Sequence, residues 1–202
     1  MLQRRVFWRL VGAWSLSTTL VALTGCSPDK PAFKAVDITG ADYAQGWTLS
    51  DQDGQVRTLK DFAGKAVVVF FGFTQCPDVC PTALQEIAQA KQLLGPDGAK
   101  LQGIFITVDP ERDTPELLKA YVANFGTDFV ALRPTPEQLP KVTKDFKIYY
   151  KKVEGKTPTS YTMDHSAGSF TFDPQGRIRL YNRHASGAET LAADVKILLS
   201  GK

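Results

Sequence analysis

Two long apolar runs dominate the pattern of hydrophobic positions along this chain. "KAVVVFFGF", residues 65–73, and "LQGIFITV", residues 101–108, are continuous stretches rich in β-branched and aromatic side chains. Such runs are typical of strands that are buried on both faces, whereas half-exposed strands alternate apolar and polar residues. The pattern therefore predicts two buried strands of one sheet.

Segments with helical periodicity alternate with these runs. Pro81 suits the first turn of a helix, and apolar residues then recur at helical spacing until Gly95 ends the pattern. A loop and a second helix follow the next run, with Asp113 or Thr114 as the N-cap. The predicted helical segments are residues 82–95, the loop and helix of residues 109–126, residues 135–148, and an amphipathic closing helix at residues 188–199.

Shorter extended segments complete the pattern. Two alternating runs around Asp-Gly predict a β-hairpin near residues 46–59, residues 129–134 form a short strand, and residues 169–183 form two strands around a Pro-Gln-Gly turn. This order predicts an α/β fold: a mixed central sheet flanked by helices, with an N-terminal β-hairpin extension. One domain over residues 32–202 accounts for all of these segments.

The first 25 residues have the features of a targeting segment. Three arginines and no acidic residue accompany an apolar stretch, residues 10–23, that is too short and too rich in Ser and Thr to span a bilayer comfortably. We expect an export signal over residues 1–25, and an uncleaved membrane anchor is the alternative.

The end of this segment resembles the lipobox of bacterial lipoproteins. Leu23 to Cys26 has the sequence "LTGC", in which the Cys of a lipoprotein is lipidated and becomes the mature N-terminus. We expect a lipidated Cys26, a polar tether over residues 26–31, and a periplasm-facing location in the bacterial cell envelope, anchored to the membrane. Ordinary signal cleavage, the alternative, also places the domain where a disulfide persists.

Composition and charge narrow the classes of function. Hydrophobic residues make up 43% of the chain and charged residues 22%, which excludes a disordered chain. The formal charge of +3 comes from the arginines of the first 25 residues, because the remaining chain carries 21 basic and 21 acidic residues. The sequence therefore predicts no nucleic-acid partner.

Cys76 and Cys80 lie between a buried strand and a helix. Open α/β sheets place their functional sites at this position, and the helix dipole and free backbone N–H groups favour a thiolate there. Residues four apart near a helical turn share a face, which permits either a disulfide or one metal ion held by both sulfurs. Two soft thiolates suit copper(I), whereas a structural zinc site needs four ligands. The spacing alone leaves disulfide and metal both open.

The chain contains two histidines. His165 precedes the strand that begins near Ser169. If that strand ran antiparallel to the first apolar run, His165 would face the loop that follows this run and carries Cys76, here called the cysteine loop. The sequence does not reveal this strand order. His184 follows the last strand, and we expect it to be an exposed residue at the opposite end of that hairpin.

Three motifs carry a resemblance to one family. "GFTQCPDVCPTAL", "ITVDPERDTPELLKAY" and "DHSAGSFTFDPQG", at these separations, resemble the Sco/SenC family of copper chaperones, which have a thioredoxin-like fold and help to deliver copper to cytochrome c oxidase. The resemblance extends from about residue 32 to the end of the chain. It implies that Cys76, Cys80 and His165 bind a copper ion, as Cu(I) or Cu(II), and it supplies the antiparallel strand order.

The resemblance also implies a function and partners. It points to a membrane-tethered metallochaperone, not an enzyme, that delivers copper to the copper-site subunit of cytochrome c oxidase and meets another copper chaperone or a thiol reductase. Cys76 and Cys80 would also form a redox-active disulfide, so copper loading would depend on their redox state.

Neighbouring residues have predicted roles of their own. Asp78 can hydrogen-bond the start of the helix or face a partner, and Asp164 can orient the imidazole of His165. Met163 is a packing residue rather than a thioether ligand. The acid-base cluster at residues 109–113 matches the family's second motif, and we interpret it as a structural loop that caps a helix.

Two other functions share this fold. An extracytoplasmic thiol-disulfide oxidoreductase that acts on the oxidase's copper-site cysteines is the main alternative, although no proline precedes the "SFTF" strand, where thioredoxin-like reductases usually carry one. A thiol peroxidase fits less well, because Thr74-Gln-Cys76 is one residue short of the Thr-x-x-Cys of peroxiredoxins.

Overall fold

The two long apolar runs lie side by side at the centre of a mixed sheet. In the computed structural model, which describes residues 32–157 and 160–201, β4 (Ala66–Gly72) pairs in parallel with β5 (Leu101–Thr107) along its whole length. Every residue of both strands is buried, as continuous apolar runs predict. The other strands are β1 (Val36–Asp37), β2 (Thr48–Asp51), β3 (Val56–Thr58), β6 (Val130–Arg133), β7 (Tyr150–Glu154), β8 (Tyr161–His165), β9 (Ser169–Phe172) and β10 (Ile178–Asn182).

Strand order brings distant parts of the chain together. Eight strands of the described chain form one sheet in the order β1-β10-β9-β4-β5-β6-β2-β3, while β7 and β8 form a separate two-stranded ribbon. β9 runs antiparallel to β4, with Ser169 opposite Phe70, so the start of β9 lies beside the end of β4. This is the strand order that the family resemblance implied.

Four α-helices of the described residues flank the sheet. They are α1 (Val79–Leu93), α2 (Pro115–Ala123), α3 (Leu139–Asp145) and α4 (Ala188–Leu199). Thr114 is the N-cap of α2, and its hydroxyl accepts a hydrogen bond from the N–H of Leu117, so Thr114 rather than Asp113 fills the cap that the sequence predicted. The mixed α/β sheet flanked by helices that the sequence predicted is confirmed.

The N-terminal hairpin is part of the main sheet. β2 pairs with β3 as predicted, and β2 also pairs with β6, with Ser50 opposite Arg133. The hairpin therefore extends one edge of the sheet beyond β6.

One predicted helix is shorter than expected. α3 ends at Asp145, and the chain then turns through Lys147, which has a positive φ of 56°, into β7. The ribbon of β7 and β8 was not predicted, because its outward positions are polar and its inward positions are too few to make a clear pattern.

The position predicted for His184 within its hairpin is wrong. β9 and β10 pair with Ser169 opposite Asn182, so the start of β9 and the end of β10 lie at the same end of the hairpin. His184 therefore lies at the end that carries His165, and it is exposed, as expected.

The first described residues are attached to the last helix. Asp194 of α4 is fully buried, and its carboxylate accepts hydrogen bonds from the backbone N–H groups of Lys34 and Ala35 at 2.9 and 2.8 Å. β1 then pairs with β10 at the sheet edge. The expected export signal at residues 1–25 and the tether at residues 26–31, with Cys26, lie outside the described residues. In the part of the chain that is described, no helix combines the length and the apolar character that crossing a membrane requires.

Candidate metal centre

The two thiols lie where β4 ends and α1 begins. Cys76 lies in the loop, half-buried, and Cys80 lies in the first turn of α1 with no exposed surface. Both are free thiols, and the backbone N–H of Cys80 donates to the Cys76 sulfur at 3.4 Å. The free N–H groups of the helix start therefore favour a thiolate at Cys76, as the sequence predicted.

The two thiols differ in acidity. A hydrogen bond from the Cys80 thiol, with support from the backbone N–H groups of Cys80 and Asp78 and from His165, lowers the pKa of Cys76 to about 5, although burial opposes this change. The hydrogen bond to Cys76 and burial both raise the pKa of Cys80. Cys76 is therefore the more accessible sulfur and the thiolate of the pair, and Cys80 keeps its proton until a metal ion displaces it or oxidation forms a disulfide.

His165 completes a group of three possible metal ligands. It is the last residue of β8, and its Nε2 lies 3.5 Å from the sulfur of Cys80. The ligand atoms of Cys76, Cys80 and His165 all lie within 4.8 Å of one another. Metal–sulfur bonds of about 2.3 Å place two ligand atoms at most about 4.6 Å apart, and about 4.0 Å apart when three surround one ion. Small side-chain rotations are therefore enough to bring all three atoms to one ion.

The imidazole of His165 is held on several sides. Its Nδ1 lies 2.9 Å from the carbonyl oxygen of Ser166, and the rings of Phe70 and Phe73 contact it edge-on with centroids 6.0 and 5.9 Å away. An Nδ1–H that donates to Ser166 leaves Nε2 free to bind a metal.

Asp164 does not perform the orienting role predicted for it. Successive side chains of a strand point to opposite faces, and Asp164 is exposed on the outer face of β8, away from His165. The backbone carbonyl of Ser166 takes that role instead.

Met163 and Asp78 also have defined positions. Met163 shares the inner face of β8 with His165 and belongs to the hydrophobic core, which agrees with the packing interpretation. Asp78 occupies the N-cap position of α1, but its side chain makes no capping hydrogen bond and is exposed. A partner-facing role for Asp78 remains a prediction.

The 109–113 segment does not supply the predicted helix cap, because Thr114 fills that position, and its side chains make other contacts instead. Asp113, which is fully buried, accepts hydrogen bonds from Thr74 and from the hydroxyl of Thr107, and so holds the cysteine loop against the end of β5. Arg112 and Asp109 of the same segment contact Tyr161 at the start of β8. Neither connection was predicted from the sequence. The acid-base cluster was the one feature that pointed to them, because its charged side chains had no partner that the sequence could identify.

Comparisons with known proteins agree on one family. The SCO1/SenC family model matches residues 36–200. An SCO2-like protein of Rickettsia typhi is 35% identical over 165 residues, which are 80% of this chain and 81% of that protein.

Solved structures agree with this result. A structure described as Bradyrhizobium japonicum ScoI with copper bound is 38% identical, covers 83% of this chain and 99% of its own, and has a TM-score of 0.69. The solution structure of apo Sco1 from Thermus thermophilus is 33% identical, with corresponding coverages of 83% and 97% and a TM-score of 0.74.

Proposed function

The chain belongs to the SCO1/SenC family, and from this membership and the geometry of its metal centre we propose that it binds copper and delivers it to cytochrome c oxidase. The ligands are Cys76, Cys80 and His165. The single observation that carries the proposal is that their ligand atoms lie within 4.8 Å of one another, although they come from the cysteine loop, from α1 and from β8.

The ligand chemistry favours copper. Two thiolates and an imidazole are soft and borderline ligands that suit Cu(I) and also bind Cu(II), and three ligands fall short of the four that a closed zinc site needs. Loading of Cu(I) or Cu(II) displaces the proton of Cys80, whereas the low pKa of Cys76 makes that sulfur available near neutral pH. Oxidation of the pair to a disulfide removes both thiolate ligands, so loading requires the reduced protein.

A carrier also needs a partner and a location. We propose that the acceptor is the copper-site subunit of cytochrome c oxidase, that another copper chaperone or a thiol reductase prepares the site, and that a lipid on Cys26 anchors the chain in the bacterial cell envelope. Two features support this part of the proposal: the lipobox-like "LTGC" supports the anchor, and membership of the SCO1/SenC family supports the oxidase acceptor.

Copper stoichiometry tests the ligand set. The full chain with Cys26→Ser is reduced and loaded with Cu(I), and bound copper is measured for it and for Cys76→Ser, Cys80→Ser and His165→Ala. We expect one copper per chain in the parent and a loss of affinity of at least about tenfold in each variant. His184→Ala is the matched control and should bind like the parent. Unchanged affinity in His165→Ala would contradict the proposed ligand set.

A thiol-disulfide oxidoreductase is the second candidate function. The unequal pair, with an accessible Cys76 of low pKa beside a buried Cys80, is the observation that favours it. Turnover of a model disulfide by metal-free reduced protein tests this activity. Robust turnover that is lost in Cys76→Ser would support an enzyme. Turnover no faster than that of a free dithiol would contradict the enzyme and leave copper delivery as the proposed function.

A further inference from the structure

β8, the strand that carries His165, belongs to a two-stranded ribbon that needs contacts with the rest of the domain to be stable. β7 and β8 pair only with each other among the described strands, from Tyr150 opposite His165 to Glu154 opposite Tyr161. An isolated two-stranded ribbon is marginally stable in water. The position of the imidazole therefore depends on whatever fixes the ribbon to the rest of the domain.

The inner face of β8 makes these contacts. Tyr161, Met163 and His165 are two residues apart and lie on one face of the strand, and they are more buried than the residues between them. Met163 packs into the core, and His165 contacts Cys80. Tyr161 lies at the other end of the strand, about 13 Å away along the backbone, where it meets the 109–113 segment.

Arg112 is the centre of this second attachment. Its guanidinium lies 3.6 Å from the ring centroid of Tyr161, and its Nη1 donates to the backbone carbonyl of Tyr161 at 2.8 Å. The same Nη1 donates to the side-chain oxygen of Gln75 at 3.1 Å, beside Cys76 in the cysteine loop. One planar side chain therefore joins the ribbon to the loop that carries the first thiol.

Asp109 fixes the guanidinium in place. Its carboxylate pairs with Nε of Arg112 at 2.5 Å and accepts a hydrogen bond from the hydroxyl of Tyr161 at 2.8 Å. Asp109 is almost fully buried and Arg112 is largely buried, at 3% and 17% side-chain exposure. Hydrogen bonds between charged groups gain strength in such surroundings, and leaving one partner unpaired is costly.

A neighbouring pair gives a natural control. Lys152 of β7 lies 3.9 Å from the Tyr161 ring centroid and pairs with Glu111 at 3.2 Å. These two side chains are 40% and 63% exposed, so solvent screens their interaction and it contributes little. Lys152 thus contacts the same ring without joining it to the cysteine loop.

We propose that Asp109, Arg112 and Tyr161 form a clamp that holds the ribbon against the cysteine loop and thereby sets how fast His165 releases a bound metal ion. Arg112 is a positioning residue in this role, since it contacts the ribbon and the loop and acts on the metal through His165. The metal-release part of the inference rests on the proposed function. Opening of the clamp frees the ribbon and leaves the ion on two sulfurs, which is the state an acceptor can attack.

Two measurements test the clamp in the full chain with Cys26→Ser. The first is the rate of Cu(I) transfer to a chelator such as bicinchoninate, in Arg112→Met, Arg112→Lys, Tyr161→Phe and Lys152→Met. We expect release to be about tenfold faster in Arg112→Met, with partial rescue by Arg112→Lys, a smaller effect in Tyr161→Phe, and a rate within about twofold of the parent in Lys152→Met.

The second measurement needs no copper. Amide hydrogen exchange of the metal-free chain should be faster in β7 and β8 of Arg112→Met, and unchanged in β4 and β5. Faster exchange throughout the domain would mean a general loss of stability and would overturn the proposal. If Arg112→Met does not fold, the Arg112→Lys and Tyr161→Phe variants decide by the same two readouts.

Different experimental outcomes would contradict the clamp and the proposed function. Parent-like release in Arg112→Met, while His165→Ala loses copper quickly, would overturn the clamp and leave the carrier function standing. Parent-like copper binding in His165→Ala would overturn the ligand set, and hydrogen exchange would then decide whether the clamp holds the ribbon.

Discussion

The carboxylate of Asp113 accepts hydrogen bonds from both the backbone N–H and the hydroxyl of Thr74, at 3.1 and 2.6 Å. These residues are 39 positions apart, and Thr74 lies two residues before Cys76. The end of β5 and the cysteine loop are therefore joined by one buried acid, which holds the loop in the conformation that presents the first thiol.

Replacement of Asp113 by Ala should destabilise the domain. Loss of the carboxylate leaves the buried Thr107 hydroxyl and the partly buried Thr74 N–H without their acceptor, and we expect the free energy of unfolding to fall by about 3 kcal/mol. Urea unfolding measures the change. Asp53→Ala is the control, because Asp53 pairs with Lys119 on the exposed surface and its loss should change stability by about 0.5 kcal/mol or less. Equal effects of the two variants would contradict this role.

The buried carboxyl group of Asp113 should also make the free energy of unfolding depend on pH. Burial raises its pKa above the usual 3.8, although the hydrogen bonds from Thr107 and Thr74 oppose the change. The folded chain thus holds this proton more tightly than the unfolded chain. Its contribution to stability is complete below pH 3.8 and is lost as the pH rises through the raised pKa.

A comparison of variants isolates this effect. As the pH rises above 3.8, the parent should lose unfolding free energy relative to Asp113→Asn. Asp51→Asn should show the opposite sign. Burial acts to raise the pKa of Asp51, but hydrogen bonds from Arg57 and the backbone outweigh it and lower that pKa, so its contribution is lost as the pH falls.

Gly72→Ala should disturb the thiol pair. A Cβ at this position would lie 2.7 Å from the sulfur of Cys80 and 2.8 Å from a ring carbon of Phe105, and both are fully buried. We expect a loss of about 2 kcal/mol in stability and weaker copper binding. Gly103→Ala overpacks the next strand against Phe129 without touching a thiol. It should lose stability and keep its copper affinity, and a similar loss of affinity in both variants would contradict the prediction.

The two cysteines should differ in reactivity. With the pKa of Cys76 lowered to about 5 by its hydrogen bond from Cys80, iodoacetamide should modify Cys76 first, with a rate that levels off above about pH 6. In Cys80→Ala the midpoint of the curve of rate against pH should move to higher pH, because the thiol that donates a hydrogen bond to Cys76 is gone. Mass spectrometry of the modified peptides gives both results, and preferential modification of Cys80 would refute the assignment.

Tyr121→Phe should be neutral or stabilising. The Tyr121 hydroxyl is buried and has no hydrogen-bond partner among the described residues, while its ring packs on Phe105 and Phe125 at centroid distances of 5.4 and 5.5 Å. Removal of the hydroxyl therefore removes a desolvation cost of about 1 kcal/mol and keeps the ring contacts. Thermal unfolding checks this, and a clearly lower midpoint would show that the hydroxyl has a partner in solution.

Sequence reasoning succeeded where a pattern is local. The apolar runs of β4 and β5 predict buried strands because every one of their positions is covered, and the stretch from Ala188 to Leu199 predicts a helix because its apolar positions repeat within the segment. The positions of Cys76 and Cys80 at a helix start followed from the same local logic. The approach of His165 depended on strand order, which only the family resemblance supplied.

The elements that were missed depend on distant partners. β7 and β8 have mixed burial, and their placement depends on contacts with the 109–113 segment, about 40 to 50 positions earlier in the chain. The role of Asp164 was misassigned for a related reason. Adjacency in sequence suggests a contact with His165, but the strand geometry turns the two side chains to opposite faces.

Asp194 determines where mechanical load enters the domain. Tension on the chain ahead of Lys34 acts first on the two hydrogen bonds to Asp194 and on the ladder between β1 and β10. Two further ladders, from β10 to β9 and from β9 to β4, lie between that edge and the cysteine loop. A force applied at that end would thus be shared by α4 and the sheet before it reached Cys76 and Cys80.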